Sequence, residues 1–153
     1  MDFTPSKLNT FLFFKLPSAY WCGVRVNTID GKTSNVGVKH KWFNQNPFKS
    51  MYFAVQAMAA ELSTGILVMY YINKSKSNVS MLVAANKSIF TKKATGRITF
   101  TCNDGYLVDE ALAAAIATGE GQTFWMKSVG IDEAGDRVSE FDFQWTIKAR
   151  SKQ

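Results

Sequence analysis

Histidine occurs once, cysteine twice and proline three times in 153 residues. A single imidazole, His40, leaves little for histidine-based catalysis, and no serine stands in a nucleophile-elbow sequence that would make a Ser/His/Asp arrangement. The cysteines, Cys22 and Cys102, are far apart and form no CxxC. That excludes a disulfide framework and a zinc site, so no metal is expected and the expected setting is the reducing cytoplasm. Scarce proline beside 46% hydrophobic and 20% charged residues excludes disorder and collagen-like repeats, and the length suits one domain over residues 1–153 with a core of its own. Dense basic blocks are also missing. Lysine and arginine total 18 against 12 acidic residues, a net charge of +6, but they are spread from Lys7 to Lys152, which gives nucleic acid little to hold.

What is present is a run of periodic segments. Residues of about 4–16 place Lys7 and Lys15 among Leu8, Phe11, Leu12, Phe13 and Phe14, which predicts a short amphipathic helix and not a signal peptide, since no small-residue cleavage site follows. Val24 to Ile29 and Thr33 to Phe43 read as a hairpin around Asp30-Gly31, with Val36, Val38, His40 and Trp42 on one face. Asn46, with Pro47 behind it, and Ser50 are candidate helix caps. From Met51 to about Tyr70 the chain is apolar on nearly every face, through Val55, Met58, Leu62 and Leu67 and a series of alanines. The stretch is long enough to span a membrane, but Gln56 and Glu61 lie mid-segment, and an acidic group at a bilayer centre costs about 3 kcal/mol. A helix covered within a soluble domain is the expectation.

Strands return at Val79 to Thr91 and Arg97 to Cys102, with Ala94-Thr95-Gly96 as the turn between them. The Ala-rich segment 106–118 predicts a helical insertion ended by Gly119. Gln122 to Ile131 and Arg137 to Arg150 then form a last hairpin, in which Phe141, Phe143, Trp145 and Ile147 alternate with polar residues. Phe124 and Trp125 are read as core with them. One long all-apolar helix among mostly antiparallel strands asks for a curved sheet wrapped around it. This α+β architecture is the hotdog fold.

The segment Asn46 to Glu61 resembles the signature of hotdog thioesterases of the phenylacetate and hydroxybenzoyl-CoA type, close to uncharacterised thioesterase-like proteins of this fold. There an Asn or Gln precedes His-Gly-Gly and an acidic residue follows on the central helix. The resemblance puts Glu61 on the acidic position, Asn46 on the upstream amide, Tyr52 where the histidine stands, and Phe53 and Ala54 on the two glycines. His-Gly-Gly itself is absent, and with it the close backbone approach that glycine allows. The hotdog dehydratase pattern, an Asp closely followed by a His, is absent too.

The residues suggest roles of their own. A carboxylate in an apolar helix is costly to desolvate, so Glu61 is paired, protonated or placed where ligand and water reach it. With a raised pKa it could serve as general base or nucleophile; satisfied by Asn, Gln or Tyr neighbours, it would be structural. Asn46 could hold a water or the thioester oxygen, or simply cap a helix. Tyr52 and Phe53 could offer backbone N–H groups to an oxyanion at the helix start, or pack as core. Lys92, Lys93 and Arg97 could meet the phosphates of a coenzyme A tail, or form a solvated strand end.

The resemblance thus implies an acyl-CoA thioesterase, with coenzyme A entering as part of the substrate and no separate cofactor. A binding protein of the same fold that holds an acyl or aromatic ligand without turnover is the alternative. A single-stranded nucleic-acid binder ranks last. Glu61 lies about 12 Å along the helix from Phe53, so one thioester cannot touch both in one chain. If both serve one reaction, as the resemblance implies, the protein is a homodimer with composite sites that could pair again into a tetramer.

Overall fold

The first helix, α1 (Pro5–Lys15), starts where the Thr4 hydroxyl accepts a hydrogen bond from the Lys7 N–H and proline takes the first helical position. In the computed structural model, which describes residues 2–150, α2 (Pro17–Trp21) follows at once. Strands β1 (Arg25–Ile29) and β2 (Ser34–Lys39) form the expected hairpin. Its turn is held by Asp30, whose Oδ1 accepts from the N–H groups of Lys32 and Thr33 at 2.9 and 2.7 Å, while Gly31 adopts a φ of 86°. The long helix α3 (Phe53–Ser75), β3 (Val79–Phe90), β4 (Arg97–Cys102), α4 (Gly105–Thr118), β5 (Gln122–Ile131) and β6 (Arg137–Ala149) complete the chain.

The strands make one six-stranded antiparallel sheet in the order β1-β2-β4-β5-β6-β3. It curves around α3, so the hotdog arrangement is observed. Ala59, Ala60, Leu67 and Val68 of the helix are buried with Val36, Ile98, Phe100, Met126 and Ile147 of the sheet in one core. By length and composition α3 could cross a membrane, yet most of its apolar stretch is buried within this fold, as in a core helix. Its buried polar residues are each matched from the sheet. Ser63 shares a 2.7 Å hydrogen bond with Ser128, and the Thr64 hydroxyl accepts from the Trp145 indole N–H at 2.9 Å. Gln56 Oε1 accepts from the Ser139 hydroxyl at 2.7 Å. Each bond removes the cost of a polar group held away from water.

Several expectations are corrected. Strand β2 stops at Lys39, and Trp42–Asn44 forms a 3-10 turn that leaves Trp42 81% exposed instead of facing the core. Asn44 causes the departure: its Oδ1 accepts from the Lys41 N–H and its Nδ2 donates to the Cys22 and Lys39 carbonyls, which pulls the chain out of the ladder. Neither Asn46 nor Ser50 caps α3, which starts later, at Phe53, and runs past Tyr70 to Ser75. Strands β3 and β4 are not a hairpin, because β3 pairs with β6 while β4 lies between β2 and β5. The segment between them crosses the end of the sheet, anchored where the Met51 N–H bonds the Ala94 carbonyl at 2.8 Å. Trp125 lies on the outer face of β5, under the Lys87 ammonium at 4.9 Å, because Met126, Ser128 and Gly130 take the inner face.

Candidate functional site

The approach to α3 is built by Asn46. Asn46-Pro47-Phe48-Lys49 closes a β-turn through the Lys49 N–H and the Asn46 carbonyl at 3.2 Å. The Asn46 side chain staples it. Its Oδ1 accepts from the N–H groups of Phe48 (2.9 Å) and Ser50 (3.3 Å), and its Nδ2 donates to the Ser50 hydroxyl (3.0 Å) and the Met51 carbonyl (3.4 Å). Asn46 therefore shapes the loop and has no polar atom left over for a ligand.

The loop delivers the chain to a helix start without a side-chain cap. The Tyr52 N–H is bonded to the Asn44 carbonyl at 2.9 Å, so of the two expected oxyanion donors it is already spent. Among the described residues the N–H groups of Phe53 and Ala54 have no acceptor, and they sit at the positive end of a 23-residue helix. Beside Phe53 opens a cleft of about 500 Å³, lined by Asn46, Phe48, Tyr52, Phe53, Gln56, Phe90, Lys92 and Lys93 among others. An aromatic series runs inward from it, with Phe53 against Phe90 and Phe90 against Phe141 at ring separations of 6.2 and 5.6 Å.

The cationic trio divides. Lys92 lines the cleft, but its Nζ is 2.6 Å from Asp132 and 2.7 Å from Asp136, which share its charge. Lys93 also lines the cleft and has no acidic partner among the described residues. Arg97 does not border the cleft; it starts β4, where its N–H donates to Glu133 at 2.7 Å. His40 is packed at the end of β2 with its Nε2 unpartnered, while its N–H bonds the Gly96 carbonyl at 2.8 Å. The described residues hold no group of three metal-ligating side chains.

Glu61 lies apart from all of these, outside the cleft and on the body of α3. It is half-buried, and burial pushes its carboxyl from 4.5 up to about 7. No hydrogen-bond or ion partner for that carboxyl exists among the described residues. It lies over Gly65, where an added Cβ would come within 3.4 Å of Glu61 Oε1 and 3.2 Å of Trp145. One chain thus brings together Asn46, Tyr52, Phe53, Lys92 and Lys93 at the cleft and leaves Glu61 and Arg97 elsewhere. Sequence reasoning missed Gln56 and Phe90 as cleft residues. The available signal was Gln56 itself, a polar residue within an apolar helix that requires a partner.

Residues 6–147 match the family described as a domain of unknown function, DUF4442. The chain belongs to that family. No curated protein matches the sequence. Solved structures share its fold across nearly the whole length. A protein of unknown function from Pseudomonas aeruginosa, described as a probable thioesterase, superposes with a TM-score of 0.81 at 19% identity, covering 96% of this chain and 97% of its own. A protein of unknown function from Chlorobaculum tepidum gives 0.82 at 16% identity, covering 95% of this chain and 94% of its own. A thioesterase from Haemophilus influenzae gives 0.76 at 10% identity, covering 100% of this chain and 96% of its own. At these identities the likeness is one of fold.

Proposed function

We propose that this DUF4442 protein is a thioester hydrolase acting on an acyl- or aromatic acyl-CoA, of the phenylacetate and hydroxybenzoyl-CoA type, and that it works as a homodimer. The observation that carries the reading is the open helix start: the Phe53 and Ala54 N–H groups, without an acceptor among the described residues, stand at the positive end of α3, and Phe53 lines an apolar cleft with Lys93 at its rim. Such donors stabilise the oxyanion that forms when a thioester carbonyl is attacked. The relatives named as thioesterases share the fold that presents them.

In this reading Glu61 of one chain faces the helix start of the other. Its carboxylate takes a proton from water, and the hydroxide forms a C–O bond to the carbonyl carbon. The carbonyl electrons move to the oxygen held by the Phe53 and Ala54 N–H groups. As they return, the C–S bond breaks and Glu61 gives its proton to the thiolate, leaving a free acid and a thiol. Lys93 attracts the phosphates of the coenzyme A portion.

Two features support a dimer. The Glu61 carboxyl has no partner among the described residues, and β3 offers an open strand edge with Leu82 and Ile89 65% and 63% exposed. Pairing two β3 edges covers both and sets the two helices antiparallel across a two-fold axis.

A second reading, a binder of acyl or aromatic ligands without turnover, is favoured by one observation: the Phe53 side chain, 55% exposed, stands at the opening where glycine would leave the carbonyl free access. Assay of a panel of acyl-CoA substrates against the wild type and Glu61→Gln decides between them. Hydrolysis that rises with pH through about 7 and is lost in Glu61→Gln supports the enzyme. Binding with no hydrolysis of any substrate supports the binder.

A further inference from the structure

Resemblance assigns the ligand-facing amide to Asn46, but the loop consumes every polar atom of that side chain. A different amide is available. Gln56 stands one helical turn beyond Phe53, on the same side of α3, and lines the same cleft while only 4% exposed. The amide is oriented from behind: the fully buried Ser139 hydroxyl donates to Gln56 Oε1 at 2.7 Å, so the oxygen points to the sheet and Nε2 points away from it.

That nitrogen carries two N–H donors and has no acceptor among the described residues. Among them His40 Nε2 is the one fully enclosed side-chain nitrogen or oxygen without a partner, so Gln56 Nε2 is in reach of whatever enters the cleft. An unused donor in an otherwise apolar wall favours a ligand with an acceptor oxygen at that point and disfavours one without it, because binding the latter strips water from the amide and returns nothing.

We propose that Gln56 is a specificity residue of the site, donating through Nε2 to the acyl oxygen of a bound thioester, with Ser139 as the positioning residue that fixes the amide. The inference rests on the thioesterase reading for the identity of the ligand. With the N–H groups of Phe53 and Ala54, the Gln56 amide makes three donors at one helix end, and Phe53 and Gln56 line the cleft. The chemical class that satisfies them is an acyl group whose oxygen sits at the head of α3.

Matched pairs of non-hydrolysable probes test this. S-(2-oxoalkyl)-CoA keeps a carbonyl and S-alkyl-CoA lacks it; both are titrated calorimetrically over chains of four to twelve carbons. The wild type is expected to prefer the ketone at least tenfold. Gln56→Met removes one of the three donors and should cut the preference at least fivefold. Gln56→Glu keeps the acceptor for Ser139 and the side-chain shape, and should cut it at least as much. A ketone preference cut less than fivefold in either folded variant, or absent from the wild type, overturns the role of Gln56 and leaves the thioesterase reading standing. A wild type that binds neither probe overturns both.

Discussion

The two edges of the sheet are finished in opposite ways. Strand β1 has five residues, carries a bulge between Val26 and Thr28, and is sealed by a side chain: Asn9 of α1 accepts from the Val26 N–H at 2.8 Å and donates to the Val26 carbonyl at 3.0 Å. One amide thus stands in for a neighbouring strand. Strand β3 has twelve residues, none of them fully buried, with a bulge of its own between Val83 and Ala85, and among the described residues no strand pairs with its outer edge. Short and covered edges resist pairing, and long open ones invite it. The same chain therefore closes one side of its sheet and offers the other.

The largest expected effect breaks the open edge. Replacing Leu82 and Ile89 of β3 with lysine places like charges face to face across the two-fold pairing proposed above, and should weaken the proposed dimer by about a thousandfold, roughly 4 kcal/mol. Sedimentation at micromolar concentration reads it, and Asn27→Lys on β1 should leave assembly unchanged.

The next effect appears in that monomeric variant, where Glu61 has no partner chain. Its folded pKa is raised from 4.5 to about 7, so the native state prefers the protonated acid. Stability from this group is complete below the unfolded value, falls as pH rises from about 4.5 to 7, and is then flat. At about 1.4 kcal/mol for each tenfold change in proton affinity, the loss reaches about 3 kcal/mol. Urea unfolding at pH 4 and pH 8 should show this loss, and Glu61→Gln should remove it.

The sealed edge supplies a smaller effect. Asn9→Ala leaves the Val26 N–H and carbonyl without their partner and should cost about 2 kcal/mol, with no change in oligomeric state; Asn9→Asp, which keeps the acceptor alone, should fall between. Chemical denaturation checks it, and a shift toward larger assemblies in Asn9→Ala would show that β1 also pairs once uncovered. The smallest effect lies beyond the end of β3, at Lys92. Its ammonium is open to water, so Lys92→Met should leave stability nearly unchanged and well short of the Asn9→Ala loss, measured the same way.

Most elements were legible because their signals are local. Alternation in Phe141, Phe143 and Trp145 marks β6, and the Asp30-Gly31 pair marks the first hairpin. Misreadings arose where a side chain redirected the backbone. Asn44 bonds across 22 positions to Cys22, and that bond ends β2 early and exposes Trp42. Asn46 looks like a cap in sequence, but its carboxamide closes its own turn. Within α3 the odd polar residues Glu61 and Gln56 stand out in an apolar helix, yet only their surroundings separate them: Gln56 lines the cleft with Ser139 behind it, and Glu61 lies outside it with no partner among the described residues.

By itself the sequence determined the periods and the punctuation, and with them a long apolar helix, the polar Gln56 and Glu61 within it and a set of antiparallel strands. Periodicity is a property of neighbours along the chain, so it survives without any knowledge of the fold. The tertiary structure decided that β3 pairs with β6 and not with β4, that Tyr52 spends its N–H on Asn44 while Phe53 does not, and that Lys92 is held by Asp132 and Asp136 while Lys93 at the cleft has no acidic partner among the described residues. These depend on which groups meet across long separations in the chain. A hydrogen bond or an ion pair is complete only when its second partner is in place, and only folding puts it there.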